Sequence, residues 1–162
     1  MPETVRALAY LPPGTPGATA LRLALMHDER RVRRRLLSLP DGTGVLIDFP
    51  NPITLEPGSK LDLEDGRRLG IEAKAEAIYS VEARDPRHLM QLCWHLGNRH
   101  LKTEIEMTRG TPRRLKILRD PVIRDMLLGL GARVTEATEA FLPEEGAYAH
   151  AHGDTTHALL NK

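Results

Sequence analysis

One cysteine, Cys93, is all the chain offers in thiol chemistry. A single thiol excludes an internal disulfide and a thiolate zinc site, and it fits a reducing compartment. Aromatic residues are also scarce, with two Phe, three Tyr and one Trp, so the core must rest on Leu, Ile, Val and Ala. Neither sign of charge dominates: 23 Lys and Arg face 22 Asp and Glu, for a formal charge of +1. That balance removes the electrostatic footprint of a dedicated nucleic-acid or membrane-surface binder. No uninterrupted apolar run approaches membrane-spanning length, and Met1-Pro2-Glu3-Thr4 is not a basic region leading into one. The expectation is a soluble, untargeted, cytoplasmic protein with no nucleic-acid or membrane partner. At 162 residues the chain makes one ordinary domain or two small ones, and small domains have thin cores that a partner domain or a dimer interface would support.

What is present is imidazole. Five of the seven histidines, His95, His100, His150, His152 and His157, fall in His95-Leu96-Gly97-Asn98-Arg99-His100 and in a C-terminal segment around His150-Ala151-His152. Binding of a metal ion is therefore the first chemistry to weigh.

The first 75 residues read as strands. Val5 to Leu11 and Leu21 to Leu25 alternate, Asp41-Gly42 and Asp65-Gly66 mark turns, and Leu61-x-Leu63 answers Leu69-x-Ile71-x-Ala73 as a half-buried hairpin should. Arg30, Arg31, Arg33, Arg34 and Arg35 cluster inside one of these strands, which reads as a solvated face. From residue 76 the rhythm changes. A strand at Ala77 to Ala83 leads to Asp85-Pro86, a helix cap followed by proline at the first helical position. On that helix Leu89, Leu92, Cys93 and Leu96 share the core stripe, Met90 and Trp94 form a flanking pair, and His88 lies at the stripe's border as a half-exposed residue. Gly97 is expected to end the helix in a left-handed conformation. Strands at Leu101 to Met107 and Arg114 to Leu118 follow, joined through Arg109 to Pro112. A second capped helix opens at Asp120-Pro121, with Val122, Ile123, Met126, Leu127 and Leu130 on its apolar face and Gly131 at its end. Ala132 to Thr138 makes a last strand.

The fold expected is α+β. An all-β domain over residues 1–75 precedes a ferredoxin-like βαββαβ domain over 76–143, and a flexible histidine-containing tail occupies 144–162. Cys93 reads as a small buried hydrophobe.

His95 and His100 are five apart, a spacing that splays two side chains on a helix by roughly 140°, and Gly97-Asn98 interrupts the pair. They need not serve one ion, and His95 is at most a helper. His100 sits just beyond the helix end, where a loop aims a side chain outward. In a two-fold dimer a residue near the axis meets its own copy, so two His100 residues can form a two-imidazole core, with tail histidines adding further nitrogens. Imidazole ligands suit nickel, copper and zinc alike. A tail with incidental histidines remains the alternative.

At His95-Leu-Gly-Asn-Arg-His100 the sequence resembles the UreE family of urease accessory proteins. Asp120 to Gly131, Phe141-Leu142-Pro143-Glu144, Gly146-Ala147-Tyr148 and the histidine-bearing C-terminus extend the resemblance over nearly the whole chain. The resemblance implies a non-enzymatic nickel metallochaperone that carries Ni²⁺ to the urease apoprotein and its accessory GTPase. It further implies an N-terminal domain of a peptide-binding type and a homodimer formed through the C-terminal domain. His100 matches the family's interface ligand, and His150 and His152, with His157 near them, match its terminal ligands. Two departures stand out. Leu118, Arg119 and Pro121 replace the extra histidines that some members carry before the second helix, and three tail histidines replace a long run.

Two other functions compete. A metal-dependent hydrolase would use His95, His100 and Glu104 or Glu106, and needs three fixed ligands with a nearby base. A polypeptide-binding module would treat the histidines as incidental. Metal binding through imidazole should weaken as pH falls through the histidine range, near about 6.5, because a protonated ring cannot ligate.

Overall fold

The structure is a computed structural model that describes residues 3–147. It divides into two compact units. One comprises residues up to Ile78 together with Ala137–Phe141; the other comprises Tyr79–Glu136 together with the described residues from Leu142 onward.

The first unit is built on a six-stranded sheet. Its strands are β1 (Thr4–Leu11), β2 (Leu21–Leu25), β3 (Arg31–Ser38), β4 (Gly44–Thr54), β5 (Lys60–Leu63) and β6 (Arg68–Ala73), in the order β2-β6-β5-β1-β4-β3. Alternation sets which face is buried. Val5 and Ala7 of β1 point inward while Thr4, Arg6 and Leu8 point out, and Leu61 and Leu63 of β5 do the same around Asp62. The expected hairpin forms with Leu61 opposite Leu69. A one-residue slip there would turn both strands' apolar sets to solvent, so the register is fixed by burial. The core joins Val32, Leu37, Val45, Ile47, Leu69 and Ile71 to these residues.

The arginine cluster is not uniformly solvated. Arg30 is 4 % exposed and donates to the Phe141 carbonyl at 2.6 Å and to the Leu25 carbonyl at 3.3 Å. These backbone oxygens accept from its guanidinium, and only the folded chain brings Phe141 to it.

The second sheet takes β7 (Ala75–Glu82), β8 (Thr103–Thr108), β9 (Thr111–Leu118) and β10 (Arg133–Ala140) in the order β10-β7-β9-β8. With α1 (Pro86–Asn98) after β7 and α2 (Pro121–Gly129) after β9, this is the ferredoxin-like arrangement. The two helices start as the sequence indicates. The Asp85 carboxylate accepts the His88 N–H, that of Asp120 accepts the N–H groups of Val122 and Ile123, and a proline follows each cap. Each cap is worth about 1 kcal/mol. Leu92 and Leu96 of α1 and Leu127 of α2 pack on Tyr79, Val81, Leu115 and Ile117, one face of the sheet.

Three expectations are corrected. Gly97 does not end α1: the helix runs to Asn98, and His100, not Gly97, takes the left-handed conformation. Val122 is 75 % exposed and leaves the core to Ile123, Met126 and Leu127. Thr111 and Pro112 belong to β9. Arg109 and Gly110, both at positive φ, make the whole turn, a two-residue connection whose twist matches the strands it joins. Among the described residues no helix is long and apolar enough to cross a membrane.

Candidate metal centre

His100 closes α1. Its N–H donates to the Gly97 carbonyl at 2.9 Å, and the Leu101 N–H donates to the Leu96 carbonyl at 3.2 Å. With His100 at φ 56°, this pair of bonds is the Schellman motif that satisfies the last helical carbonyls. Leu101 completes it by packing into the core cluster that contains Leu96. The position usually holds glycine, because a β-carbon there crowds the backbone and costs about 1–2 kcal/mol. The backbone is anchored, yet the His100 residue is exposed, and among the described residues no hydrogen bond engages its ring. A strained, outward-facing imidazole is therefore held at a fixed point.

The other histidines separate cleanly. His95 is half-buried and lies edge-on to Trp94, with ring centres 5.0 Å apart. Trp94 and Met90 beside it are 64 % and 65 % exposed, an apolar strip along the flank of α1 leading to its C-terminal end. His88, expected to be half-exposed, is 3 % exposed. Its Nδ1 accepts the Arg84 N–H at 3.1 Å and its Nε2 lies 2.9 Å from the Leu130 carbonyl. A carbonyl only accepts, so Nε2 carries the proton and ties α1 to the end of α2, while Nδ1 holds the Arg84 amide in the connection before α1. His88→Ala should cost about 2–3 kcal/mol through the amide and carbonyl it orphans. Urea unfolding would show this loss, while nickel binding should be unchanged.

Cys93 is half-buried in the same cluster, and burial pushes its thiol up, away from the reactive thiolate. His150, His152 and His157 lie outside the described residues. Among the described residues no group of three or more His, Cys, Asp or Glu side chains converges as a metal cage.

The face of the second sheet opposite the helices carries charge that the sequence reading did not pair. Lys116 Nζ lies 3.0 Å from Glu104 Oε1 and 3.2 Å from Glu106 Oε2, and Arg114 Nη2 donates to Glu106 at 2.8 Å. The Arg114 hydrogen bond, helped by that from Lys116 and by both positive charges, outweighs burial and holds Glu106 down at about 2. Burial alone would lower the Lys116 ammonium, but its bonds to Glu104 and Glu106 raise it on balance. Glu104 and Glu106 are committed to these cations, so neither is poised as the acid of a hydrolase.

Residues 3–74 match the family description "UreE urease accessory protein, N-terminal domain", and residues 76–161 match "UreE urease accessory protein, C-terminal domain". The chain belongs to the UreE family. Among curated relatives, the urease accessory protein UreE of Rhizobium meliloti is 48% identical over 152 residues, covering 92% of this chain and 95% of the relative. UreE of Mesorhizobium japonicum is 48% identical over 149 residues, 91% of this chain and 74% of its own length. UreE of Rhizobium rhizogenes is 46% identical over 153 residues, 94% and 88% respectively. The UreE C-terminal match takes in α1, the His100 corner and the C-terminal histidines together. Two features of this chain escaped the sequence reading. The left-handed histidine was masked by the nearby Gly97-Asn98 pair, and the Glu104–Lys116 pairing was encoded only in the alternation of β8 and β9, which puts residues 104, 106, 114 and 116 on one face.

Proposed function

We propose that this protein is a urease accessory metallochaperone that binds Ni²⁺ and delivers it to the urease apoprotein and its accessory GTPase. Residues 76–143 serve metal binding and dimerisation, residues 144–162 carry the detachable ligands, and residues 1–75 dock polypeptide. His100 from each of two chains forms the centre. His150 and His152, with His157 as a helper from the same C-terminal segment and His95 as a helper from α1, complete it. Zinc and copper fit the same ligand set.

The observation that carries this reading is the exposed, backbone-anchored imidazole of His100 at a strained position. A single imidazole is a weak site, and a two-fold partner supplies a second without any further residue. Met90 and Trp94 offer the apolar surface on which a second copy can seat. Equilibrium dialysis should give one tightly held nickel ion per two chains. Trp94→Glu should turn the dimer into monomers in sedimentation and weaken nickel binding with it, because the two His100 rings would no longer meet. A wild-type stoichiometry of one tight ion per chain, or a monomeric Trp94→Glu variant of full affinity, overturns the shared centre.

The polypeptide-docking role draws support from the outer face of the first sheet. Leu36 and Leu46 are cross-strand neighbours there, 55 % and 38 % exposed, with Leu8 on adjacent β1 at 61 %. Exposed leucines grouped on one face suit a protein contact.

A further inference from the structure

One strand of the first unit keeps an unpaired edge. β3 stands at the end of the sheet order and pairs with β4, and among the described residues no other backbone group bonds to Arg31–Ser38. Alternate N–H and C=O groups of an edge strand point away from its one neighbour, which makes the edge a template for a further strand. The eight residues of β3 offer about 27 Å of such edge, at about 3.4 Å per residue. Four of them are arginines. Arg34 Nε lies 2.8 Å from Asp48 Oδ1 and Arg35 Nη2 lies 3.7 Å from Glu29 Oε1. Arg31 and Arg33 are exposed, and among the described residues no carboxylate pairs with either. The opposite edge differs: β2 has five residues, and its one arginine, Arg22, is neutralised by Glu72 at 2.7 Å.

We propose that the β3 edge accepts an extended acidic segment of a partner protein, which adds to the first sheet as a further strand. The inference deepens the polypeptide-docking role given above to residues 1–75 and rests on it. In strand addition, main-chain hydrogen bonds supply affinity and the flanking side chains select the partner. Beside β3 the selection is for negative charge, because opposite charges facing each other across two strands stabilise the pair and like charges oppose it. The same arginines exclude a second copy of this chain: β3 laid against β3 sets four arginines on each side of the junction. Charge on an edge strand ordinarily guards against such self-pairing, and an acidic strand turns that guard into an attraction. One side-chain row of the added strand continues the outer face of the sheet. Leu36, 55 % exposed, and Arg34 lie on that face opposite Leu46 and Asp48 of β4. The segment that fits therefore carries acids along its length and an apolar side chain where its outer row passes Leu36.

The probe is a fluorescein-labelled peptide of about ten residues, the upper end of strand length, that alternates glutamate and valine and so can seat either row on the outer face. Its binding to the full chain is read by fluorescence anisotropy. The same peptide with lysine in place of glutamate should bind at least about tenfold more weakly. The glutamate peptide should weaken at least about tenfold toward a full chain carrying Arg31→Glu and Arg33→Glu, because each change turns an opposite-charge pair into a like-charge one. Where that chain fails to fold, Arg31→Gln with Arg33→Gln replaces it and should weaken binding about two- to tenfold. Hydrogen exchange should slow at β3 amides in the complex and stay unchanged at those of β2. A glutamate peptide that binds without slowing β3 amides, or that binds no better than the lysine peptide, overturns the edge site and leaves polypeptide docking standing. A single-stranded RNA that displaces the peptide and leaves the β3 amides exchanging freely assigns the arginines to nucleic acid and overturns the proposal. If neither peptide binds, the docking reading falls and this inference with it.

Discussion

His100→Gly should make the protein more stable and a far worse nickel binder. Glycine occupies the left-handed position without the β-carbon penalty, a relief of about 1–2 kcal/mol. Against this stands the greater freedom of glycine in the unfolded chain, about 0.5–1 kcal/mol. The net gain is about 0.5–1 kcal/mol, which raises Tm by about 1–4 °C for a chain of this size. Nickel affinity should fall at least about 100-fold, because a ligand itself is lost and even a missing hydrogen bond to a metal ligand costs 10–100-fold. His100→Ala separates the two effects: it keeps the β-carbon strain, so Tm should stay near that of the wild type, while affinity falls as far as in the glycine variant. Thermal unfolding in the presence of chelator, paired with nickel calorimetry, reads both quantities. A glycine variant less stable than the alanine variant would show that the corner is not strained. Retained affinity in both would remove His100 from the centre.

Lys116→Met should destabilise the C-terminal domain by about 3–5 kcal/mol, because it leaves the buried Glu104 carboxylate without its cation. Lys116 is 6 % exposed and lies within 3.2 Å of both Glu104 and Glu106. Adding Glu104→Gln to this variant should recover part of the loss by removing the orphaned charge. The same network predicts an acid limb. Glu106 sits at about 2 in the fold against an ordinary 4.5, so the unfolded chain binds its proton first as pH falls. Its contribution to stability is complete above about pH 4.5 and disappears as pH falls through about 2. The shift corresponds to at most about 3 kcal/mol, and the one-fifth exposure of the side chain reduces that figure. Urea unfolding between pH 5 and 2 should therefore show a steeper loss in the wild type than in Arg114→Ala, which lacks the strongest bond to Glu106. Parallel slopes would mean that the pair adds nothing.

Legibility followed the range of the interactions. The caps at Asp85 and Asp120, the turns at Gly42 and Gly66, and the register of Leu61 opposite Leu69 depend on residues close in sequence, and all appear in the structure where the pattern puts them. The end of α1 was misread because Gly97 and Asn98 can both adopt the left-handed conformation, and sequence alone does not rank them against His100. Packing accompanies the observed choice: with the reversal at residue 100, Leu101 packs on the core cluster that contains Leu96. His88 was read as half-exposed because its border position on α1 hides the Leu130 carbonyl, 42 residues away, that buries and employs it.

The sequence by itself determined the family, the two-part organisation and the concentration of imidazole near residue 100 and beyond residue 149. Its motifs, turn residues and alternation are local or linear signals that survive without a folded chain. Tertiary structure decided which histidine is free to act. It buried His88 between two helices, set His95 against Trp94, and placed His100 outward on a left-handed corner. It also decided that Glu104 is spent on Lys116 and Leu142 and is not free as a catalytic acid. The physical reason is the same throughout: a polar group's role depends on which partners lie within about 3 Å, and for these residues the folded chain brings those partners together.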